Sequence, residues 1–279
     1  MNKRNIYNRF SLKDELIIIT GGAGLLGKQY AKVLLEANAT VILFDINQNA
    51  LKDVRKIYNK QFKDKVFTFF VDITNEKSIL KSKDKIFKKF KKHPTILINN
   101  AAIDPKFEKD SKINKSRLEN FDLKQWDLEL SVGLTGAMLC TRIFGIEMAN
   151  NNKGVILNIS SDLGIIAPDQ RLYKQEDLDE SMQNVKPITY SVIKHALIGL
   201  TKYTATYWAD KGVRCNAFAP GGVFNNHSED FLNKLTPLIP MKRMANIDEY
   251  ESAILFLCSD ASSYMNGATL NMDGGRSIW

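Results

Sequence analysis

Tyr190-Ser191-Val192-Ile193-Lys194 sets a phenol and an ammonium four residues apart. On a helix that spacing puts both side chains on one face. A nearby cation favours the phenolate, so such a tyrosine can serve as a general acid or base. Taken alone, a Tyr-x-x-x-Lys pair is ordinary helix surface, and its weight comes from what precedes it. Asn158-Ile159-Ser160-Ser161 closes an apolar run, where the Ser161 hydroxyl can orient a carbonyl or an alcohol.

A second constellation lies near the start. The run Leu16-Ile17-Ile18-Ile19 passes directly into Thr20-Gly21-Gly22-Ala23-Gly24-Leu25-Leu26-Gly27. Glycines between a strand and a helix permit a tight turn, let a pyrophosphate approach the backbone, and allow close helix–strand packing. The helix N-terminus beyond offers N–H groups to the phosphates. The next run, Val41-Ile42-Leu43-Phe44, ends in Asp45, 24 residues after Gly21. A carboxylate there accepts hydrogen bonds from ribose hydroxyls and repels a 2′-phosphate. Neither Ile46 nor Asn47 is basic, so NAD is expected in preference to NADP. No metal is expected, because His93, His195 and His227 are scattered and no Cys-x-x-Cys occurs.

The elements that must position these groups alternate. Fully apolar runs recur at Val66 to Val71, Ile96-Leu97-Ile98, Val155 to Ile159 and Val213 to Ala219. Such runs suit central strands covered on both faces. Helix-length segments separate them, at about 24–38, 48–60, 75–92, 125–149 and 189–211. A further helix near 247–259 and a strand at Thr269–Met272 finish the chain. The pattern predicts an α/β fold: a Rossmann-type doubly wound parallel sheet of about seven strands, helices on both faces, in a single domain over 1–279. Two segments break the rhythm. Residues 103–124 read as a surface connection. Residues 165–188 form a long insert beside the strand ends, where a substrate pocket is usually built.

Composition narrows the class. Of 279 residues, 44% are hydrophobic and 25% charged, which excludes disorder along the whole chain. Cys140, Cys215 and Cys258 are few and far apart, so a disulfide scaffold is excluded and a reducing compartment favoured. Met1 to Phe10 carries no apolar run, and no apolar stretch approaches bilayer length; a cytoplasmic protein with no membrane partner is expected. The net charge of +8 is concentrated: residues 60–92 hold eleven Lys against four acids. Leu80, Ile86, Phe87 and Phe90 give that stretch a buried stripe, so its lysines read as a wet helix face and not as a nucleic-acid site.

Taken in order, the pieces resemble the short-chain dehydrogenase/reductase family across nearly the whole chain. They are the turn at 20–27, Val71-Asp72-Ile73-Thr74, Asn99-Asn100-Ala101-Ala102, Ser161, Tyr190 with Lys194, Asn216 to Gly222, and Asn266-Gly267 to Asp273-Gly274-Gly275. The resemblance implies that Gly21, Gly24, Leu25, Leu26, Gly27 and Asp45 hold the cofactor. It places Asp72 and Ile73 at the adenine, Asn99 and Ala101 along the groove, and Pro220, Gly221 and Val223 toward the nicotinamide. It also gives Tyr190 the proton exchange, Lys194 the nicotinamide ribose as well, and Ser161 the substrate. Residues 225–240, with His227, are similar to the family's mobile lid. A homodimer or homotetramer is implied.

Departures from the family pattern shape the functional reading. The spacing Gly21, Gly24, Gly27 is that of the extended, sugar-nucleotide branch, yet no second lobe fits in the length. Gly133 stands where the family places a relay Asn, and Asn225 where a Thr is common. Ser161 and Tyr190 are 29 residues apart, further than the pattern; Tyr173 is rejected as catalytic because Asp177 follows it four residues later. The expected function is an NAD-dependent oxidoreductase moving hydride between the nicotinamide and a secondary alcohol or ketone. A hydroxylated small-molecule substrate is expected, such as a sugar phosphate or nucleotide sugar. The whole chain is similar to dehydrogenases of bacterial surface-sugar and flagellin-modification pathways. The alternatives are a sugar-nucleotide epimerase or dehydratase using bound NAD, and a dinucleotide-binding protein without catalysis.

Overall fold

The computed structural model describes residues 5–103 and 113–279. Its centre is one seven-stranded sheet, ordered β3-β2-β1-β4-β5-β6-β7, with every neighbouring pair parallel. The strands are β1 (Leu16–Thr20), β2 (Thr40–Asp45), β3 (Val66–Phe70), β4 (Ile96–Asn99), β5 (Gly154–Ile159), β6 (Val213–Pro220) and β7 (Thr269–Met272). The helices are α1 (Leu25–Glu36), α2 (Gln48–Gln61), α3 (Glu76–Phe90), α4 (Leu123–Leu130), α5 (Gly136–Asn150), α6 (Ile188–Tyr207), α7 (Glu229–Leu235) and α8 (Glu251–Cys258).

The continuous apolar runs are explained by burial on both faces. Ile17, Ile19, Val41, Leu43, Ile96 and Ile98 pack with α1, α2 and α8. Their alternates Leu16, Ile18, Ile42, Phe44 and Leu97 pack with α3 and α5 on the other side. Side chains alternate along a strand, so a strand covered twice has no polar face. The lysines of α3 lie on its wet side, exposed except for half-buried Lys83. The expected stripe is corrected: α3 buries Ile79, Ser82 and Ile86, while Leu80 and Phe87 are exposed and Phe90 is half-buried, because the sheet contacts the face one position round from the one read in the sequence. Part of the 103–124 connection, and the first four residues of the N-terminal segment, lie outside the described residues.

Two further expectations are corrected. The segment 125–149 is not one regular helix: α4 and α5 are joined by a π-helical turn, Ser131–Thr135, that contains Gly133. This run, Leu123–Asn150, is also long and apolar enough by length and composition to cross a membrane, contrary to the sequence reading. Here its apolar side is spent on the sheet, where Leu139, Cys140, Ile143, Phe144 and Met148 join the core around Leu97 and Ile156.

The insert and the lid, read separately in the sequence, pack on each other. Leu172 of the insert joins Leu235, Ile239 and Met244 in a small core. Lys234 Nζ donates to the Lys174 carbonyl at 2.7 Å, and the Tyr173 and Phe231 rings lie 6.0 Å apart.

Candidate active site

The strand order reverses direction between β1 and β4, and ligands of such sheets bind in the crevice at that switch point. Thr20, at the end of β1, is buried, and its Oγ1 accepts from the N–H groups of Asn100 (3.0 Å) and Ala101 (3.1 Å). Asn100 Nδ2 donates back to the Thr20 and Gly21 carbonyls, at 3.0 and 3.2 Å. The crevice floor is thus fixed from both strands. Gly21 has φ +60°, and a Cβ there would stand 2.9 Å from Ala101 Cα. A Cβ on Gly27 would stand 2.4 Å from the Gly21 carbonyl oxygen, so α1 enters against the turn as only glycine permits.

This crevice fits a dinucleotide. Gly24 caps α1 without a side-chain bond and no acid lies in the first turn, so the first N–H groups have neither capping oxygen nor competing anion. Asp45 Oδ2 accepts from Ala23 N–H at 3.1 Å and Oδ1 from Asn47 N–H at 2.9 Å. That holds the carboxylate at the glycine turn with further lone pairs to offer a diol. Asp72 Oδ1 is taken by Thr74, through its backbone N–H at 2.9 Å and its hydroxyl at 2.7 Å. The Asn99 side chain is buried in the protein: its Nδ2 donates to Thr141 Oγ1 (3.0 Å) and Asn158 Oδ1 (2.8 Å). Asn99 therefore ties β4 to α5 and β5 through its side chain.

The elements that carry the catalytic candidates are held together despite the 29 residues between Ser161 and Tyr190. Lys194 is buried, and its Nζ donates to the Ile159 carbonyl at 2.9 Å. Ser160 Oγ donates to the Lys194 carbonyl at 2.7 Å. A Cβ on Gly164 would lie 2.7 Å from that carbonyl oxygen, so the turn after β5 sits tightly on α6. The end of β5, with Ser161, is thereby pinned to the first turns of α6, with Tyr190. The Lys194 ammonium lies 5.6 Å from the Tyr190 ring centroid. That of Lys186, from the insert, lies 3.9 Å from it.

Ser161 Oγ donates to Asp162 Oδ1 at 2.7 Å and accepts from Leu163 N–H at 3.2 Å. Asp162 Oδ2 accepts from Arg276 Nη1 at 2.9 Å, and both partners are nearly buried. Asp162 and Arg276 line a cleft of about 500 Å³ together with Leu235, Ile239 and Met244. Tyr250 fixes the turn below, donating to the Gly221 carbonyl at 2.9 Å. Burial first, then the charges of Asp162, Glu249 and Asp273, push its phenol well above the usual tyrosine range. His227 is engaged within the lid, where Nδ1 accepts from Asn225 N–H at 3.2 Å and the ring stacks on Phe231. Among the described residues no group of His, Cys, Asp and Glu could hold a metal.

Gly133 is buried, and a Cβ there would meet Ile193 Cγ2 at 2.8 Å. The space beside position 133 is filled by α6. One turn earlier, Glu129 is buried, accepts from Gln125 Nε2 at 2.5 Å, and receives the Thr189 hydroxyl.

Sequence reasoning did not single out Asn100, Asp162, Arg276, Glu129 or Lys186. For Glu129 a signal existed: it stands four residues before Gly133, and so shares the buried helix face. For Asp162 the signal was adjacency to Ser161. The partner, Arg276, lies 114 residues away and is legible only in the fold.

Known proteins resemble this chain along nearly its whole length. A family model described as short chain dehydrogenase matches residues 15–173. A second, described as Enoyl-(Acyl carrier protein) reductase, matches residues 178–277. The "Post-translational flagellin modification protein A" of Campylobacter coli is 27% identical, over 95% of this chain and 98% of its own. A gluconate 5-dehydrogenase from Burkholderia cenocepacia J2315, solved with NADP and tartrate, is 25% identical with a TM-score of 0.83, covering 99% of this chain and 100% of that one. A short chain dehydrogenase from Leptospira borgpetersenii serovar Hardjo-bovis (strain JB197), solved with bound NAD+, is 29% identical with a TM-score of 0.79, covering 100% and 98%.

Proposed function

Because the chain belongs to the short chain dehydrogenase family, we propose that it is an NAD-dependent oxidoreductase acting on a secondary alcohol or ketone of a hydroxylated small molecule. The observation that carries this is the pinning of α6 to the end of β5, which gathers Tyr190, Lys194 and Ser161 at the sheet's C-terminal edge. When bound, the nicotinamide supplies or accepts the hydride. The remaining work belongs to the protein. In the oxidative direction Tyr190 Oη takes the hydroxyl proton as phenolate, and in reduction it returns it. Lys194, held by the Ile159 carbonyl, keeps a positive charge near that phenol. Ser161 orients the reacting oxygen. With Gly133 packed on Ile193, no side chain holds the relay water from that position, and the proton leaves by another route.

Asp45 supports NAD over NADP, since a fixed carboxylate at the glycine turn suits a diol and opposes a phosphate. Asp72 and Ile73 at the adenine, Leu25 and Leu26 at the pyrophosphate, and Pro220, Gly221 and Val223 at the nicotinamide belong to the same proposal. A sugar phosphate or nucleotide sugar is the proposed substrate class. The flagellin-modification and gluconate relatives support a carbohydrate, and the charged side chains of Asp162, Arg243, Glu249, Asp273 and Arg276 lining the cleft suit a polar ligand. Assembly as a homodimer or homotetramer is supported by apolar side chains left exposed on α5 and α6, among them Ile146, Tyr203 and Tyr207.

The test is hydride transfer by the purified protein over a panel of sugars, sugar acids and their phosphates, with NAD and NADP in parallel. Turnover that Tyr190→Phe lowers by roughly 10²–10⁴-fold is expected. Tight NAD binding with no turnover on any member would sink the proposal.

A further inference from the structure

We propose that Lys186 is a positioning residue for the general base: the insert delivers a second ammonium to Tyr190, which stabilises its phenolate face-on. This rests on Tyr190 being the proton-exchanging group.

The Lys186 Nζ stands 3.9 Å from the Tyr190 ring centroid, closer than the 5.6 Å of Lys194. An ammonium over an aromatic face is attracted by the ring's electrons, more strongly when the group is desolvated. Ionisation of the phenol adds a full negative charge to that ring, so the same contact favours phenolate over phenol.

The contact is built into the chain. Three successive residues of the insert's return arm are tied down before the helix begins. Asn184 Oδ1 accepts from Asn114 Nδ2 at 2.9 Å. Val185 N–H donates to Ser116 Oγ at 3.1 Å. Lys186 N–H donates to Gln170 Oε1 at 2.8 Å. Buried Pro187 follows as the N-cap of α6, three residues before Tyr190, with φ −57°. The Lys186 backbone therefore has little freedom relative to the ring it covers.

Among the described residues, the contacts given for the other charged and titratable groups near Tyr190 do not oppose this effect. Lys194, on the same helix, acts in the same direction. Tyr30 of α1 couples to Tyr190, but burial keeps its own phenol neutral. Asp162, beyond Ser161, is paired with Arg276. Glu129 of α4 is engaged by Thr189 and Gln125.

The arrangement gives the insert a role. A relay side chain is absent at Gly133, and the insert supplies a charge to the base.

The experiment needs no identified substrate. Tyrosinate absorbance of the NAD-loaded protein is titrated against pH, and the step missing in Tyr190→Phe is assigned to Tyr190. In Lys186→Met and Lys186→Gln that step moves up by about one pH unit, while Lys186→Arg retains it near the original position. Native folding of each variant is checked by thermal melting, and either neutral variant suffices. A step that stays in place in a folded neutral variant overturns the inference. A panel turnover in which Lys186→Met raises KM alone, with the titration unmoved, also overturns it and makes Lys186 a substrate-binding residue. If Tyr190→Phe retains the early step, the Tyr190 assignment itself fails, which separates that failure from this one.

Discussion

Substituting Gly133 with Ala tests how the site is closed where the relay side chain is missing. A β-carbon at 133 would lie 2.8 Å from Ile193 Cγ2 and 3.1 Å from Cδ1. Ile193 is buried in a helix, where a β-branched side chain has one strongly preferred χ1, so Cγ2 cannot swing away. Overpacking of this kind costs about 1–3 kcal/mol. Against it, Ala gains about 1 kcal/mol over Gly in helical backbone. The net expectation is a loss of about 1 kcal/mol, or roughly 2–4 °C in Tm for a chain of this size. In an Ile193→Ala background the obstructing atoms are gone, so the same Gly133→Ala change should stabilise by about 1 kcal/mol. The sign reverses, and the double-mutant cycle should return a coupling of about 2 kcal/mol. Urea unfolding of the four proteins at one fixed concentration measures it. Stabilisation by Gly133→Ala in the parent, or a coupling near zero, would refute the packing argument. Because Ile193 immediately precedes Lys194, Gly133→Asn should lower turnover and not restore a relay.

Other outcomes follow from single contacts. Asp45→Asn should shift the ratio of NADP to NAD turnover toward NADP by about tenfold, read from parallel kinetics, because the repelling charge is removed. Burial pushes the Cys140, Cys215 and Cys258 thiols up to about 12, so a thiol reagent at neutral pH should label none quickly in the native protein and all three after denaturation. Arg243, with help from the Asn246 N–H, holds the Glu249 carboxyl down at about 2. A depressed carboxyl contributes stability above its ordinary pKa and loses it as pH falls through the folded value. Wild type should therefore lose more Tm than Glu249→Gln on going from pH 5 toward pH 2; equal losses would contradict the pairing.

How much was legible follows from the range of each signal. The sheet, its strand composition and the glycine turn were readable because they are local. A strand covered twice leaves a continuous apolar run, and Gly21 takes φ +60°, which glycine adopts without steric cost. Strand ends were read to within a residue or two. The π turn at Ser131–Thr135 was not readable, because apolar spacing around it stays close to helical. Asn99 was assigned to the groove from its motif, while its side chain proved to be a buried tie between β4, β5 and α5. Both neighbours in an Asn-Asn pair look alike in sequence, and only the sheet decides which one turns inward.

By itself, the sequence determined an α/β layer, a glycine turn between β1 and α1, and a Tyr190–Lys194 pair on one helix face. Each is written in local runs of sequence, a few residues to a turn or two long. Tertiary structure decided which distant groups complete the site. It brought Arg276 to Asp162, 114 residues away. It set Glu129 under Thr189, closed Gly133 against Ile193, and laid Lys186 across the ring of Tyr190. Those pairings are products of packing between elements, and no local periodicity encodes the distance between two side chains that only the folded sheet brings together.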